Sequence, residues 1–355
     1  MKRASIVILN YNYAHFLKRS IDSALAQTAT DIEVVVVDDC STDDSRNVIA
    51  AYGERVRAVL QPANGGHGAG MNAGFAASTG EVVIFLDADD FLYPAAVARI
   101  LGARHEKAAM YQSRMDLVDG DGHPFDTYPA RETAWEDGDV VPQLLERGRY
   151  STTVTSGLAF ERRALGAIMP MDGEAFRQGG DGYLVTVAPL YGHVVTLDET
   201  LGAYCQHGVN HSQSAIGARA IWRVFHDEQR YIALRDHARR QGLATRGEFG
   251  RNDPLHLEER AAAVMLTEPR RSVGRERREL ALCALRALRG APNSAKRRLL
   301  LAGWWLLVGF APGPVARAVL KWKLQAASRP AVIKRLARLA RTLGGAPRMA
   351  ALRPA

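Results

Sequence analysis

The stretch Val82-Val83-Ile84-Phe85-Leu86-Asp87-Ala88-Asp89-Asp90 runs five apolar residues straight into three carboxylates. An apolar run that is β-branched and aromatic without alternation reads as a strand buried on both faces, as in a parallel sheet covered by helices. The carboxylates then fall at the C-terminal edge of that sheet, where open α/β folds bind ligands. Acids this close repel one another unless a cation sits among them. Asp87 and Asp89, two apart on extended chain, point the same way and can share one metal or one ligand. A solvated acidic turn before a helix near Pro94 has the same short signature, so the flanking chain decides between the two.

Upstream, strands and helices alternate. Strand 5–9 precedes an amphipathic helix over 15–27. Strand 33–37 ends in Asp38-Asp39, and Ser41 or Thr42 can cap a helix running to about 52. Strand 56–60 leads into the glycine-rich segment Asn64-Gly65-Gly66-His67-Gly68-Ala69-Gly70, a helix to about Ser78, and the strand 82–86. This alternation argues for βαβ units and a doubly wound, mostly parallel sheet. The glycine-rich helix entrance offers backbone N–H groups to an anion. Downstream, the pattern predicts a helix from Pro94 to about 106 and a strand at 108–115. A hairpin turn at Asp119-Gly120-Asp121-Gly122, irregular chain over 123–149 with a helix at 139–147, and a strand at 152–160 follow. A helix opening at Arg162, a strand at 192–197 and helices over 215–290 complete the pattern.

Of the 46 Lys and Arg, 13 lie in residues 291–355 with no Asp or Glu, so the first 290 residues carry 33 basic against 38 acidic groups, a net of −5. A segregated basic tail points to nucleic acid or an anionic membrane surface. The membrane is favoured by two features. Residues 299–316 are eighteen uncharged positions, but Pro312 and Pro314 divide them, which argues for in-plane or re-entrant insertion rather than a span. Residues 331–343 place Val332, Ile333, Leu336, Leu339 and Leu343 opposite Lys334, Arg335, Arg338 and Arg341, an interfacial helix pattern. Three dispersed cysteines give neither a disulfide framework nor a zinc pattern, and fit a reducing compartment. The run Ile6-Val7-Ile8-Leu9 is too short for a signal-peptide core and reads as the first strand, which places the protein in the cytoplasm.

The two acidic strand ends, 38–39 and 87–90, face one crevice. Acids with a nearby metal suit a nucleoside diphosphate, because the metal neutralises the phosphates while a carboxylate accepts hydrogen bonds from ribose or base. Gly68-Ala69-Gly70-Met71-Asn72-Ala73 also fits the dinucleotide fingerprint G-x-G-x-x-A. Two βα units precede it, however, whereas that fingerprint belongs to the first. A receiver-type acidic pocket would place its acidic pair at the end of the first strand. A binding module without turnover is the remaining reading of the residues.

Four motifs, taken in order, resemble the family 2 glycosyltransferases of the GT-A fold over roughly residues 4–212: Ile6-Val7-Ile8-Leu9-Asn10-Tyr11-Asn12, Val37-Asp38-Asp39-Cys40-Ser41-Thr42-Asp43, Asn64-Gly65-Gly66 with Asn72-Ala73-Gly74, and Leu86-Asp87-Ala88-Asp89-Asp90. The resemblance implies an inverting transfer of one sugar from a nucleotide-diphosphate sugar to a hydroxyl of a glycan or lipid-linked acceptor. It implies that Asp39, with Asp38 behind it, contacts the nucleobase, that Asn10, Tyr11, Asn64 and Gly66 belong to the nucleotide site, and that Asp87 faces the ribose or donor sugar. Asp89 and His207, the latter in a Tyr-x-x-His-Gly-x-Asn-x-Ser pattern, would hold Mn²⁺ or Mg²⁺. Asp181 matches the general base. This chain has Gly180-Asp181 where the family commonly has Glu-Asp, and Met71 where a cation is often found. It lacks the Gln-x-x-Arg-Trp motif of processive synthases, which favours one sugar per encounter. The expected organisation is a GT-A α/β catalytic domain at 1–212, a C-terminal helical extension at 213–290, and a basic membrane-associating tail at 291–355. That tail would sit on the inner face of the cell membrane, with no nucleic-acid partner. The alternative is a non-catalytic membrane- or nucleic-acid-binding protein with a vestigial crevice. His67 and His211 receive no role from the sequence.

Overall fold

The structure is a computed structural model that describes residues 3–133, 135–207, 216–245, 250–267, 273–290 and 295–324. Two compact units divide the chain: 1–214 with 222–256, and 215–221 with 257–355.

In the first unit, β1 (Ala4–Asn10), α1 (Ala14–Leu25), β2 (Ile32–Asp38), α2 (Ser45–Ala50), β3 (Arg57–Leu60), α3 (Gly66–Ala77) and β4 (Val82–Asp87) follow the expected alternation. The helix after β2 is shorter than expected and begins at Ser45 without a side-chain cap. Ser41 instead accepts hydrogen bonds from Asn10 and from the Asn12 backbone. Next come β5 (Phe91–Leu92), α4 (Ala96–Gly102), β6 (Ala108–Val118), β7 (Pro124–Tyr128), α5 (Val141–Arg147), β8 (Leu158–Glu161), α6 (Arg162–Ile168), α7 (Gly180–Val187), β9 (His193–Cys205) and, from Trp222 onward, α8 (Ile216–Arg240). Two departures matter for the site. Residues 152–157 are loop and a short 3-10 turn rather than strand, because Thr155–Gly157 bend to carry Ser156 under the end of β4. Chain read as irregular contains β7, paired antiparallel with β6 around the expected turn.

The sheet order is β3-β2-β1-β4-β8-β6-β9-β5, with β7 beside β6. β1 to β4 pair in parallel, whereas β8 joins β4 and β6 antiparallel, so the second half of the sheet is mixed. Both faces are covered, which explains the unbroken apolar run of β4. Ile6, Ile8, Val34, Ile84 and Leu86 pack under Leu17, Ile21, Ile49 and Ile100 on one side. Val7, Val35, Val83 and Phe85 pack under Met71, Leu165, Leu184 and Leu234 on the other. Gly74 permits α3 to approach closely: a Cβ there would lie 2.2 Å from Val7 Cγ1.

The second unit has its own core, formed from α9 (Pro254–Thr267, from Leu257 onward), α10 (Val273–Gly290), α11 (Ala295–Phe310) and α12 (Gly313–Leu324), with Met265, Leu280, Ala284, Trp305, Val308 and Leu320 at its centre. The uncharged run breaks at Ala311-Pro312, between α11 and α12. Among the described residues no helix is long and apolar enough to cross a membrane. The expected helix at 331–343 lies outside the described residues.

Candidate active site

β1 sets the geometry. Its Asn10 is in register with Asp38 of β2 and its Leu9 with Asp87 of β4, so the two acidic strand ends flank the end of β1 at nearly one level. The five acids there do different work.

Asp38 is fully buried and accepts hydrogen bonds from Asn10 Nδ2 at 2.9 Å, Arg46 Nε at 2.9 Å and the Ser41 N–H at 3.1 Å. Burial would raise its pKa, but the bonds from Ser41, Arg46 and Asn10 hold it below the usual carboxylate range. Asn10 is likewise buried, joining Asp38 to Ser41, and Tyr11 is exposed beside it. Asp39 receives the N–H groups of Gly65 and Gly66, one on each oxygen, both at 2.7 Å. The next two N–H groups, of His67 and Gly68, donate to the carbonyls of Arg177 and Phe176 at 2.7 and 3.0 Å. The four donors at the start of α3 are therefore satisfied within the protein, and the expectation that this glycine-rich entrance cradles an anion is not met. Asn64 and Gly66 lie under Arg177, which donates to the Asn64 carbonyl at 3.0 Å. A Cβ on Gly66 would meet the Arg177 backbone.

At the end of β4, Asp90 turns inward. Fully buried, it accepts from Ser156 Oγ at 2.5 Å and from the Cys205 N–H at 2.9 Å, tying β4 to β9. Burial first, then the charges of Asp89 and Asp87, push its pKa well above the carboxylate range. Asp89 has a carboxylate oxygen 2.9 Å from His207 Nε2. Its pKa is raised by burial and by Asp87, with His207 opposing. His207 stacks on Phe16 at 4.6 Å and meets the edge of Tyr13. The sequence pairing of Asp89 with His207 thus appears in the fold. Asp87 keeps a third of its side chain exposed and faces His67 Nε2 at 3.4 Å.

Asp181 lies in the first turn of α7. The helix begins at Gly180 with Gly179 as its N-cap, and no side chain caps it, so Asp181 is not the capping acid. Its carboxylate raises the pKa of Tyr128, second to burial, and adds to the effect of Asp87 on His67. The rings of Tyr128 and Tyr204 stand 6.3 Å apart. Tyr204 is pushed up to about 12 by burial and by Asp90, Asp87 and Asp89.

Three supporting residues carried no signal in the sequence. Arg19 of α1 donates to the Asp89 carbonyl at 3.4 Å and the Gly120 carbonyl at 3.3 Å, and sits over the Phe91 ring at 4.8 Å. His67 and His226 hold the approach to α7. Each acts across dozens of residues of chain, a pairing that no local pattern encodes. Asp119, Asp121 and His123 also bring ligand atoms within 4.8 Å of one another. The hairpin accounts for part of that grouping, since Asp119 accepts from the N–H groups of Asp121 and His123.

A family model described as glycosyl transferase family 2 matches residues 5–165. An uncharacterized glycosyltransferase of Nostoc sp. is 39% identical over 221 residues, covering 61% of this chain and 68% of that protein. The succinoglycan biosynthesis protein ExoO of Rhizobium meliloti is 31% identical over 210 residues, covering 57% and 60%. The crystal structure of S. aureus TarS 1-349 in complex with UDP-GlcNAc covers 92% of each chain with a TM-score of 0.53 at 17% identity, a likeness of fold. The parallel half-sheet with its two acidic ends and the matched sequence agree, and the chain belongs to the family 2 glycosyltransferases, with a GT-A fold extended by C-terminal helices.

Proposed function

We propose that the protein transfers one sugar, with inversion, from a nucleotide-diphosphate sugar to a hydroxyl of a glycan or lipid-linked acceptor. Asp181 takes the acceptor proton as that oxygen bonds to the anomeric carbon. The bond from that carbon to the diphosphate breaks on the opposite side, and the diphosphate leaves with the electron pair. The observation that carries this reading is the contrast among the acids. Asp38 and Asp90 are enclosed by protein donors, whereas Asp87 stays partly exposed and Asp181 has no hydrogen-bond or ion-pair partner among the described residues.

Asp89 and His207 suit a divalent cation, Mn²⁺ or Mg²⁺. The raised pKa of Asp89 beside Asp87 marks carboxylates that a cation would relieve, and an imidazole nitrogen stands at 2.9 Å. Such an ion supplies charge neutralisation of the diphosphate. Asp39 keeps lone pairs beyond those used by Gly65 and Gly66, enough to accept a base N–H.

Residues 291–355 are read as a docking element for an anionic membrane, and the relative named a succinoglycan biosynthesis protein supports a glycan acceptor. Leu299, Leu300, Leu306, Leu307 and Phe310 fall on one face of α11 and are each about half exposed or more. Trp305 and Val308, on the opposite face, are buried. An apolar stripe next to a segment with 13 cations and no acids fits an interface of lipid and anionic headgroups. On this reading the protein works peripherally at the inner face of the cell membrane, with 1–212 as the catalytic part.

A thermal-shift screen of nucleoside diphosphates and their sugars with and without Mn²⁺ identifies the donor, and release of the diphosphate measures turnover. Asp89→Asn and Asp181→Asn are each expected to reduce that release by at least about 100-fold. Stabilisation by flavin or nicotinamide dinucleotides instead would end this reading.

A further inference from the structure

We infer that His67 and His226 grip opposite edges of one peptide group, Gly179–Gly180, and so position the Asp181 carboxylate for its work as base. This rests on the assignment of Asp181 above. The Gly180 N–H donates to His67 Nδ1 at 3.1 Å, and His226 Nε2 lies 2.8 Å from the Gly179 carbonyl oxygen. That carbonyl and that N–H belong to the same planar unit, so two bonds from opposite sides fix its rotation. The residue whose direction this sets is the next one, Asp181.

The chemistry of each ring follows from its bond. Accepting at Nδ1 requires the neutral His67 ring with its proton on Nε2, which stands 3.4 Å from Asp87 Oδ1. His226 donates from Nε2 to a carbonyl. Burial and Arg230 lower its pKa, which keeps the ring neutral. His67 rises from the first turn of α3, whose neighbour Gly68 accepts no larger side chain, because a Cβ there would meet the Phe176 carbonyl at 2.7 Å. His226 belongs to α8, where Arg230 also donates to the Gly182 carbonyl at 3.2 Å and to Thr186 Oγ1 at 2.8 Å. α7 thus receives at Gly180 N–H, from another helix, the cap its own sequence does not provide.

The grip also accounts for the local glycines. Gly179 has φ +73°, and a Cβ on it would meet His226 Nε2 at 2.7 Å. A Cβ on Gly180 would meet Met71 Sδ at 3.0 Å and Gly68 Cα at 3.2 Å, while one on Gly182 would meet His226 Cε1 at 2.3 Å. The glycine that stands here before the aspartate is therefore part of the device. His67 Nε2 stands 3.4 Å from Asp87 Oδ1, so the ring that meets the Gly180 N–H also borders the end of β4.

The test uses the full chain and release of nucleoside diphosphate from the donor that the thermal-shift screen identifies, with water as acceptor. His67→Ala and His226→Leu are expected to lower kcat by about 10- to 100-fold, the scale of a misplaced catalytic group, with donor KM changed less than about threefold. His67→Asn returns an acceptor atom to the Nδ1 position, and His226→Gln returns a donor near Nε2. Both are expected to recover most of the loss. The double variant should lose less than the product of the single losses, because both bonds hold one peptide. Where an alanine or leucine variant unfolds, His67→Gln replaces it, since it fills the space without an acceptor at Nδ1. Equal kcat in His67→Asn and His67→Ala, or losses confined to donor KM, overturn the inference. If Asp181→Asn is inactive while the histidine variants are unimpaired, only the clamp is wrong. If Asp181→Asn hydrolyses donor like the wild type, the base assignment falls and the clamp with it.

Discussion

Removing the Asp39 carboxylate separates its hold on the start of α3 from its expected contact with the nucleobase. In Asp39→Ala the N–H groups of Gly65 and Gly66 each lose a 2.7 Å bond to a carboxylate oxygen, at the positive end of α3. A hydrogen bond to a charged group contributes about 1.5–3 kcal/mol, and a helix-end charge adds about 0.3–1. Gly65 and Gly66 are only half-buried, so water recovers part of each bond. The expected loss is therefore about 3 kcal/mol. Asp39→Asn keeps one acceptor and turns an NH₂ toward the other N–H, so its loss should be intermediate. Urea unfolding followed by far-UV circular dichroism reads both values through the midpoint at constant slope. Donor affinity, measured by titration calorimetry on the folded variants, reads the ligand contact. Were Asp39→Ala to lose donor binding with its unfolding free energy within about 0.5 kcal/mol of wild type, the carboxylate would be a ligand contact alone and its use as a helix clasp would be refuted.

Asp227 is buried between Arg149 and Arg230 at 2.9 and 2.8 Å, with His256 at 3.2 Å. Against burial, the bond to His256 and the charges of the arginines hold its pKa far below the usual range. Its contribution is thus complete above an unfolded value near about 4 and is lost as pH falls toward the lower folded value. Asp227→Asn should cost about 3–5 kcal/mol at pH 7 and flatten the fall in urea midpoint between about pH 4 and 2, and an unchanged acid slope would contradict this. Replacing Leu299, Leu306 and Phe310 by Ser should abolish sedimentation with vesicles containing anionic lipid while leaving donor hydrolysis intact, and unaltered sedimentation would discard α11 as the docking face. A chelator should remove the thermal stabilisation given by a nucleoside diphosphate but leave that given by the free nucleoside. Equal diphosphate binding in chelator would dismiss the cation at Asp89.

What could be read from the residues alone is what short-range pattern encodes. Val82–Leu86 announced a strand covered on both faces because nothing polar interrupts it, and the Asp119–Gly122 turn announced a hairpin. The same residues did not say which acids of the 87–90 group face outward, since Asp90 is turned inward by a serine and a cysteine N–H that lie 66 and 115 positions away. Nor did the glycines at 65–70 reveal that their donors are already engaged, because the partners, Asp39 and the 176–177 carbonyls, come from two other segments. Composition made 299–316 one apolar run, whereas helical phase divides it into a face with Trp305 and Val308 inside and a face with Leu299, Leu306 and Phe310 outside.

The occupied start of α3 bears on where positive charge in this site originates. A helix N-terminus with free N–H groups is an anion site ready-made. Here Asp39 and two carbonyls close it, and they do so with glycines that would otherwise admit a phosphate. Arg46 is taken up by Asp38, Arg177 lies over Asn64, and Arg19 holds the Asp89 carbonyl from behind. Among the described residues these three arginines are already engaged, and on the proposed reading a cation at Asp89 would supply counter-charge to the departing diphosphate. The pKa of Asp89, raised by burial and by Asp87, marks the electrostatic strain that such a cation would relieve. The enclosed acids, Asp38 and Asp90, hold the strand ends in register so that this strain falls at one place, within reach of the imidazole of His207.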